Sequence, residues 1–155
     1  MNLTIERVSA PTDEVRALLD RLNSALTGPY LPEQHHYLPV EQLFESNVRF
    51  FVARLDGAAV GCGGVGFYEG FAEVKRMFTE PTVRRRGVAA AVVRRLESEA
   101  REAGYSILRL ETGLYQAEAI AFYEREGFVE CEAFGAYLAM TPRMIETSVF
   151  YEKSI

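Results

Sequence analysis

The chain has no tryptophan, two cysteines and two histidines in 155 residues. Cys62 and Cys131 lie far apart with no metal-type spacing, which excludes a disulfide framework and a cysteine metal site; both read as small apolar residues of the interior. No apolar run approaches the ~18 residues that a membrane-spanning helix needs. Residues Met1 to Glu6 hold no basic region followed by an apolar stretch, so a cytoplasmic protein without membrane partners is expected. Basic charge is also short, with 17 Lys and Arg against 22 Asp and Glu and a net charge of −5. A phosphate backbone recruits a basic face, so this balance argues against nucleic acid as the main partner. Internal repeats and low-complexity segments are missing too.

What is present is 48% hydrophobic and 25% charged content, the composition of one globular domain over residues 1–155. Leu3 to Val8 alternates apolar and polar as a strand, and Thr12-Asp13-Glu14 caps a helix carrying Val15, Leu18, Leu19 and Leu22 that Gly28-Pro29 stops. Tyr30 to Pro39 reads as an irregular connection before a short helix from Val40 to Glu45. Val48 to Leu55 and Ala58 to Tyr68 are strands joined by Asp56-Gly57, a strong hairpin signal. The glycines of the second strand, at 61, 63, 64 and 66, imply a bulge or a backbone that something approaches closely. A further strand ends near Thr79, and Ala89, Val92, Val93, Leu96, Ala100 and Ala103 mark one face of a helix that Gly104 ends. Ser106 to Thr112 is a strand, Gln116 to Glu126 a helix stopped by Gly127, and Phe128 to Phe134 and Thr147 to Lys153 are the last strands. This order predicts an α/β or α+β sheet with helices on both faces.

The strand-to-helix junction at Arg84-Arg85-Arg86-Gly87-Val88-Ala89 has the form of a phosphate-binding turn. The first N–H groups of a helix lack intrahelical partners and sit at the positive end of its dipole, and Gly87 lets an anion come close to the backbone. The same residues also fit a solvated arginine cluster whose glycine only marks a turn. Arg-x-x-Gly-x-Ala after Pro81 resembles the acetyl-CoA signature of the GNAT N-acetyltransferases, and Ala119 to Phe128 resembles that family's second motif. Leu110-Glu111-Thr112-Gly113, Phe134-Gly135-Ala136-Tyr137 and Ser148-Val149-Phe150 are similar to one bacterial branch of it.

The resemblance covers nearly the whole chain and implies a mixed, mostly antiparallel sheet whose fourth and fifth strands splay apart. It implies acetyl-CoA as cosubstrate, no metal, and acetyl transfer to a primary amine in a ternary complex. The acceptor is read as a small molecule ahead of a protein, and a homodimer through the C-terminal strands is common in relatives. CoA would be held by Arg84, Arg85, Arg86, Gly87, Val88, Ala89 and Ala90, and the thioester by backbone N–H groups of Met77, Phe78 and Thr79. Gln116 stands where relatives commonly have a CoA-positioning asparagine; its longer amide can make the same hydrogen bonds. Tyr123 matches the tyrosine that returns a proton to the CoA sulfur and also contacts the cosubstrate, although tyrosines often only pack a helix on a sheet.

For the base, Glu73 comes first and Glu111 second. Alternation puts Glu73 on the face of Lys75 and Met77, and it either works as the base or pairs with Lys75 or Arg109 on a solvated face. His35 and His36 lie where a loop would roof the acceptor site, and Tyr30, Tyr37, Phe67 and Tyr137 are candidates for an apolar acceptor pocket or for the core. Two rivals remain: a non-catalytic acyl-CoA sensor and, using the arginines, an RNA-binding protein.

Overall fold

The computed structural model describes residues 2–27, 29–36 and 39–155; Gly28 and Tyr37 of the readings above lie outside them. Alternation in the strand Val48–Leu55 sets the layers. Phe50 and Val52 point to one face of the sheet and Phe51, Ala53 and Leu55 to the other, so two buried clusters form back to back. This strand, β2, pairs antiparallel with β1 (Leu3–Val8) and with β3 (Ala58–Phe67). The hairpin between β2 and β3 turns on Asp56 and Gly57, with φ of 51° and 89°, the two left-handed positions of a tight primed turn.

Helix α1 (Asp13–Thr27) starts where the Thr12 hydroxyl oxygen accepts the Val15 N–H at 3.2 Å, and it buries Val15, Leu18, Leu19 and Leu22 against Phe50, Val52 and Cys62. Helix α2 (Val88–Glu102) covers the opposite face through Val88, Val92, Val93 and Leu96. The β3 glycines explain how closely it lies. A Cβ on Gly61 would come 3.2 Å from Val88 Cγ1, and one on Gly63 would come 2.7 Å from Val92 Cγ1, so α2 is what approaches the backbone at these two glycines, while Gly64 and Gly66 face Phe50 and Tyr68.

β4 (Ala72–Thr79) follows β3 antiparallel, and β5 (Ile107–Gly113) lies parallel beside β4. Helix α3 (Ala117–Arg125) and strand β6 (Val129–Cys131) lead through the four-residue α4 (Pro142–Ile145) to β7 (Ser148–Ser154). The seven-stranded sheet has the order β1-β2-β3-β4-β5-β7-β6, mixed and mostly antiparallel as expected. Three local readings differ. The short helix expected from Val40 to Glu45, ahead of β2, is a 3₁₀ helix at Val40–Phe44, and the strand expected to reach Phe134 stops at Cys131. There Phe134 leaves the ladder to pack with Phe71, Tyr137 and Phe150, and Gly135 turns the chain at a φ of 53°. The third is α4 itself, which the sequence reading does not contain.

Candidate active site

β4 and β5 pair only at Ala72 with Leu108 and Glu73 with Arg109. Beyond Glu73 they part, while β5 stays laddered to β7 as far as Gly113 with Ser148. The β4 edge from Val74 onward therefore has N–H and C=O groups without strand partners on that side, and such groups need water or a ligand. They line a cleft of ≈ 1260 Å³ that runs from the head of α2 to His35, His36 and Tyr137. Ligand pockets commonly measure about 300–1,000 Å³, so there is room for more than one small molecule.

The edge is further shaped by a bulge. Cys62 faces Phe78 and Gly64 faces Lys75, which leaves Gly63 opposite both Arg76 and Met77, and Arg76 takes a φ of 55°. A left-handed conformation costs a non-glycine residue roughly 1–2 kcal/mol, so surrounding contacts must hold it. The bulge overturns one expectation: Met77 does not share a face with Glu73 and Lys75. It turns to the α2 face, where a Cβ on Gly63 would lie 2.6 Å from its sulfur, although Met77, Phe78 and Thr79 all still border the cleft.

At the far end of β4 a 3₁₀ turn at Pro81–Val83 leads into α2. Arg85 and Gly87 take φ of 66° and 79°, and left-handed residues spaced through a turn curl its N–H groups around a concavity suited to an anion. The first α2 hydrogen bond runs from Ala91 N–H to Gly87 O, which leaves Val88, Ala89 and Ala90 N–H at the helix head. Arg84 and Arg85 border the cleft and Arg86 does not; Arg84 pairs with Glu118 of α3 at 3.2 Å across the mouth. Gln116 precedes α3 in the cleft wall, its Nε2 3.5 Å from the Tyr30 hydroxyl, which also accepts the Tyr115 N–H at 3.1 Å. Tyr30 lies against Gly113, whose missing side chain makes room for the ring.

The acidic groups meet in the splay. Glu73 is 4% exposed, paired with Lys75 at 3.0 Å and receiving the Tyr137 O–H at 2.8 Å; Arg109 instead bonds Glu152 at 3.1 Å. The anticipated Lys75 pairing is present, but on a buried face and not a solvated one. Glu111 accepts the Ser148 hydroxyl at 2.6 Å. Burial pushes its carboxyl above the usual range, the negative charge of Glu73 adds to this, and Ser148, His36 and Lys75 oppose it. Tyr123 is buried between Phe122 and Phe128, and burial, followed by the charge of Glu111, raises its phenol well above the ordinary value. Tyr137 is raised by burial and then by Glu73 and Glu111.

His36 donates its Nε2–H to the Met144 carbonyl at 2.6 Å and stands edge-on to Tyr137, and His35 lines the same cleft. Gln34, buried beside them, donates to the Arg143 carbonyl at 3.2 Å and to Glu146 at 3.1 Å, so the 31–36 segment is fastened to α4 over the acidic pair. Phe67 is not in the cleft. Alternation turns it with Val65 to the α2 side, where it stacks on Tyr105 at 5.3 Å with the Arg49 guanidinium 4.9 Å above it. Sequence reading missed Ser148 and Gln34, along with Thr147, whose buried hydroxyl in the cleft wall has no hydrogen-bond partner among the described residues. These pairings join residues 37 to 112 positions apart, which no local pattern reports.

A model of the acetyltransferase (GNAT) family matches residues 15–128. An IAA acetyltransferase of Azospirillum brasilense is 43% identical over 138 residues, 88% of this chain and 90% of that protein. A crystal structure of a candidate acyl-CoA N-acyltransferase from Klebsiella pneumoniae is 34% identical, with a TM-score of 0.75 over 98% of this chain and 97% of its own. A GNAT family acetyltransferase from Elizabethkingia anophelis, solved with acetyl-CoA bound, shares the fold at a TM-score of 0.71 over 99% of each chain and 16% identity.

Proposed function

Since this chain belongs to the GNAT acetyltransferase family and is an acetyl-CoA-dependent N-acetyltransferase, we propose that it passes the acetyl group directly to a primary amine in a ternary complex. The observation that carries this reading is the parting of β4 from β5, with the left-handed turn of α2 at one end of the gap and Glu111 and Tyr123 on its walls. Acetyl-CoA would lay its pyrophosphate on the N–H groups at Arg85 to Ala90 and its thioester carbonyl on the β4 edge, where donors fixed in a strand need no reorganisation as negative charge develops on oxygen. The acceptor would enter under the 31–36 segment.

Glu111 takes the amine proton. Glu73 already holds the Lys75 ammonium and the Tyr137 hydroxyl on one oxygen, whereas Glu111 has the Ser148 hydroxyl and a carboxyl held more basic by burial, which suits a proton acceptor at neutral pH. The neutral amine attacks the carbonyl carbon, the C–S bond breaks, Tyr123 gives its phenolic proton to the departing thiolate, and the proton shed by the new amide nitrogen restores the phenol. Acyl-enzyme chemistry has poor support: burial pushes the Cys62 thiol up to about 12, and burial raises Cys131 as well. Release of CoA thiol from acetyl-CoA across a panel of primary amines tests the assignment, with the IAA named for the Azospirillum relative assayed beside that panel as a non-amine candidate. Binding of acetyl-CoA with no transfer to any acceptor would favour a sensor.

Glu111 makes a two-sided expectation. Its folded carboxyl is raised above the unfolded value, so the folded state holds a proton that the unfolded state releases, and stability falls as pH rises through the interval between the two. Glu111→Gln should therefore melt higher than the parent at neutral pH, and the acidic limb of the rate profile should vanish from the weak remaining activity. A Gln variant that melts lower, or one that keeps the limb, would remove Glu111 as base; Glu73→Gln is the control that keeps it.

Lys75 neutralises Glu73, which leaves the charge of Glu111 to attract a cationic acceptor. The acceptor's KM should rise severalfold with ionic strength while kcat holds, because salt screens the approach of opposite charges. An anionic preferred acceptor, or a flat salt response, would count against this.

A further inference from the structure

Arg76 sits at the one place in β4 where strand geometry fails, and its side chain does not reach outward. The residue is 8% exposed, and its Nη1 donates to Asn23 Oδ1 of α1 at 2.6 Å, a contact between residues 53 positions apart. A buried guanidinium is unfavourable without partners, and an apolar side chain would pack α1 on β4 without needing one. The arginine adds direction: it fixes where the bulge lies along α1. Its carbonyl is held from the other side, accepting the Cys62 thiol at 3.4 Å. Two residues before Asn23, Arg21 pairs with Glu80, which lies just past β4 and whose N–H bonds the Val60 carbonyl at 2.8 Å. The last turns of α1 thus grip β4 at its bulge and at its end, the stretch that borders the cleft before the turn into α2.

We infer that Asn23 and Arg76 are positioning residues: their hydrogen bond holds the β4 bulge in the form that aims the strand edge at the thioester carbonyl. The inference rests on the reading of that edge as the carbonyl's donor. Freed from Asn23, Arg76 can relax toward an ordinary extended conformation. Because one residue is then no longer extra, Met77, Phe78 and Thr79 exchange faces and the edge groups lose their aim.

The test uses the full chain and acetyl-CoA labelled with carbon-13 at the thioester carbonyl, whose stretching band is followed by infrared difference spectroscopy. Parent protein should lower the band as donors polarise the carbonyl. Asn23→Ala should lose most of that lowering and about tenfold in kcat, with acetyl-CoA affinity held within about twofold. Asn23→Asp keeps an acceptor for the guanidinium and should keep the parent band. Arg76→Gly tolerates the positive φ without strain, so it should keep the parent band although the tether is gone, and Asn23→Ala added to it should cost nothing more. A folded Asn23→Ala with the parent band and kcat overturns the inference, as does an additive double variant. A parent that binds acetyl-CoA and leaves the band unmoved overturns the reading of the β4 edge itself, and the tether's role with it.

Discussion

Tyr123→Phe is expected to lower kcat by at least about a hundredfold, since general acid help is typically worth 10²–10⁴-fold, while acetyl-CoA binds as before. The change removes one hydroxyl and keeps the ring that packs with Phe122 and Phe128, so folding and the cosubstrate site stay intact. The hydroxyl matters when the C–S bond breaks, and an interaction made mainly in the transition state appears in kcat more than in binding. Burial and the charge of Glu111 raise the phenol, so it stays protonated throughout the working pH range and puts no alkaline limb on the rate. A phenol so raised is a weak acid for an ordinary thiol's conjugate base. The thiolate, however, forms in the same dry cleft beside Glu111, and the burial that raises the phenol also raises the sulfur's affinity for a proton. Steady-state kinetics with calorimetry decides: a loss under about tenfold would make water the proton source, and parent turnover would remove Tyr123 from the chemistry.

Local periodicity carried most of the fold and little of the site. β1, α1, α2 and α3 announce themselves because apolar residues recur at strand or helix spacing and because Thr12, Gly104 and Gly127 terminate them, the two glycines at φ of 92° and 96°. The bulge at Arg76 has no such mark. Its left-handed backbone carries an arginine where glycine would have signalled it, and only the register against β3 and the reach to Asn23 reveal it. The clustered β3 glycines were legible as close approach, but not as approach by α2, because α2 packing is a property of two elements together.

The acidic pair shows the same limit. Glu73 and Glu111 stand out as carboxylates near a splay, yet what distinguishes them is Lys75 and Tyr137 around one and Ser148 beside the other. Tyr137 and Ser148 reach the two carboxylates because α4 and its flanking turns double the chain back beside the 31–36 segment, and α4 is too short to leave a periodic trace. Phe67 misled for a simpler reason: one step of alternation decides whether an aromatic at a strand's end faces the cleft or the core.

Gly87→Glu should abolish measurable acetyl-CoA binding while the protein still folds. A Cβ at Gly87 would meet nothing within 4 Å, so the side chain finds open space and packing is not disturbed. The φ of 79° is the difficulty: a glutamate favours the turn's relaxation to negative φ, which dismantles the concavity of N–H groups, and binding would have to restore it at roughly 1–2 kcal/mol. The new carboxylate also stands at the helix head where the pyrophosphate would lie. Like charges about 4 Å apart repel by about 1 kcal/mol in water and about 4 near a protein surface. With the surface value the two come to about 5–6 kcal/mol, beyond the ~2.8 kcal/mol of a hundredfold change in affinity. Gly87→Ala separates the two contributions, since it strains the turn without adding charge and should weaken binding by no more than about thirtyfold. Calorimetry on each variant, beside a melting curve to confirm folding, gives the result. A folded Gly87→Glu that binds acetyl-CoA like the parent would place the pyrophosphate somewhere other than this turn, and the arginines around it would be a solvated cluster after all.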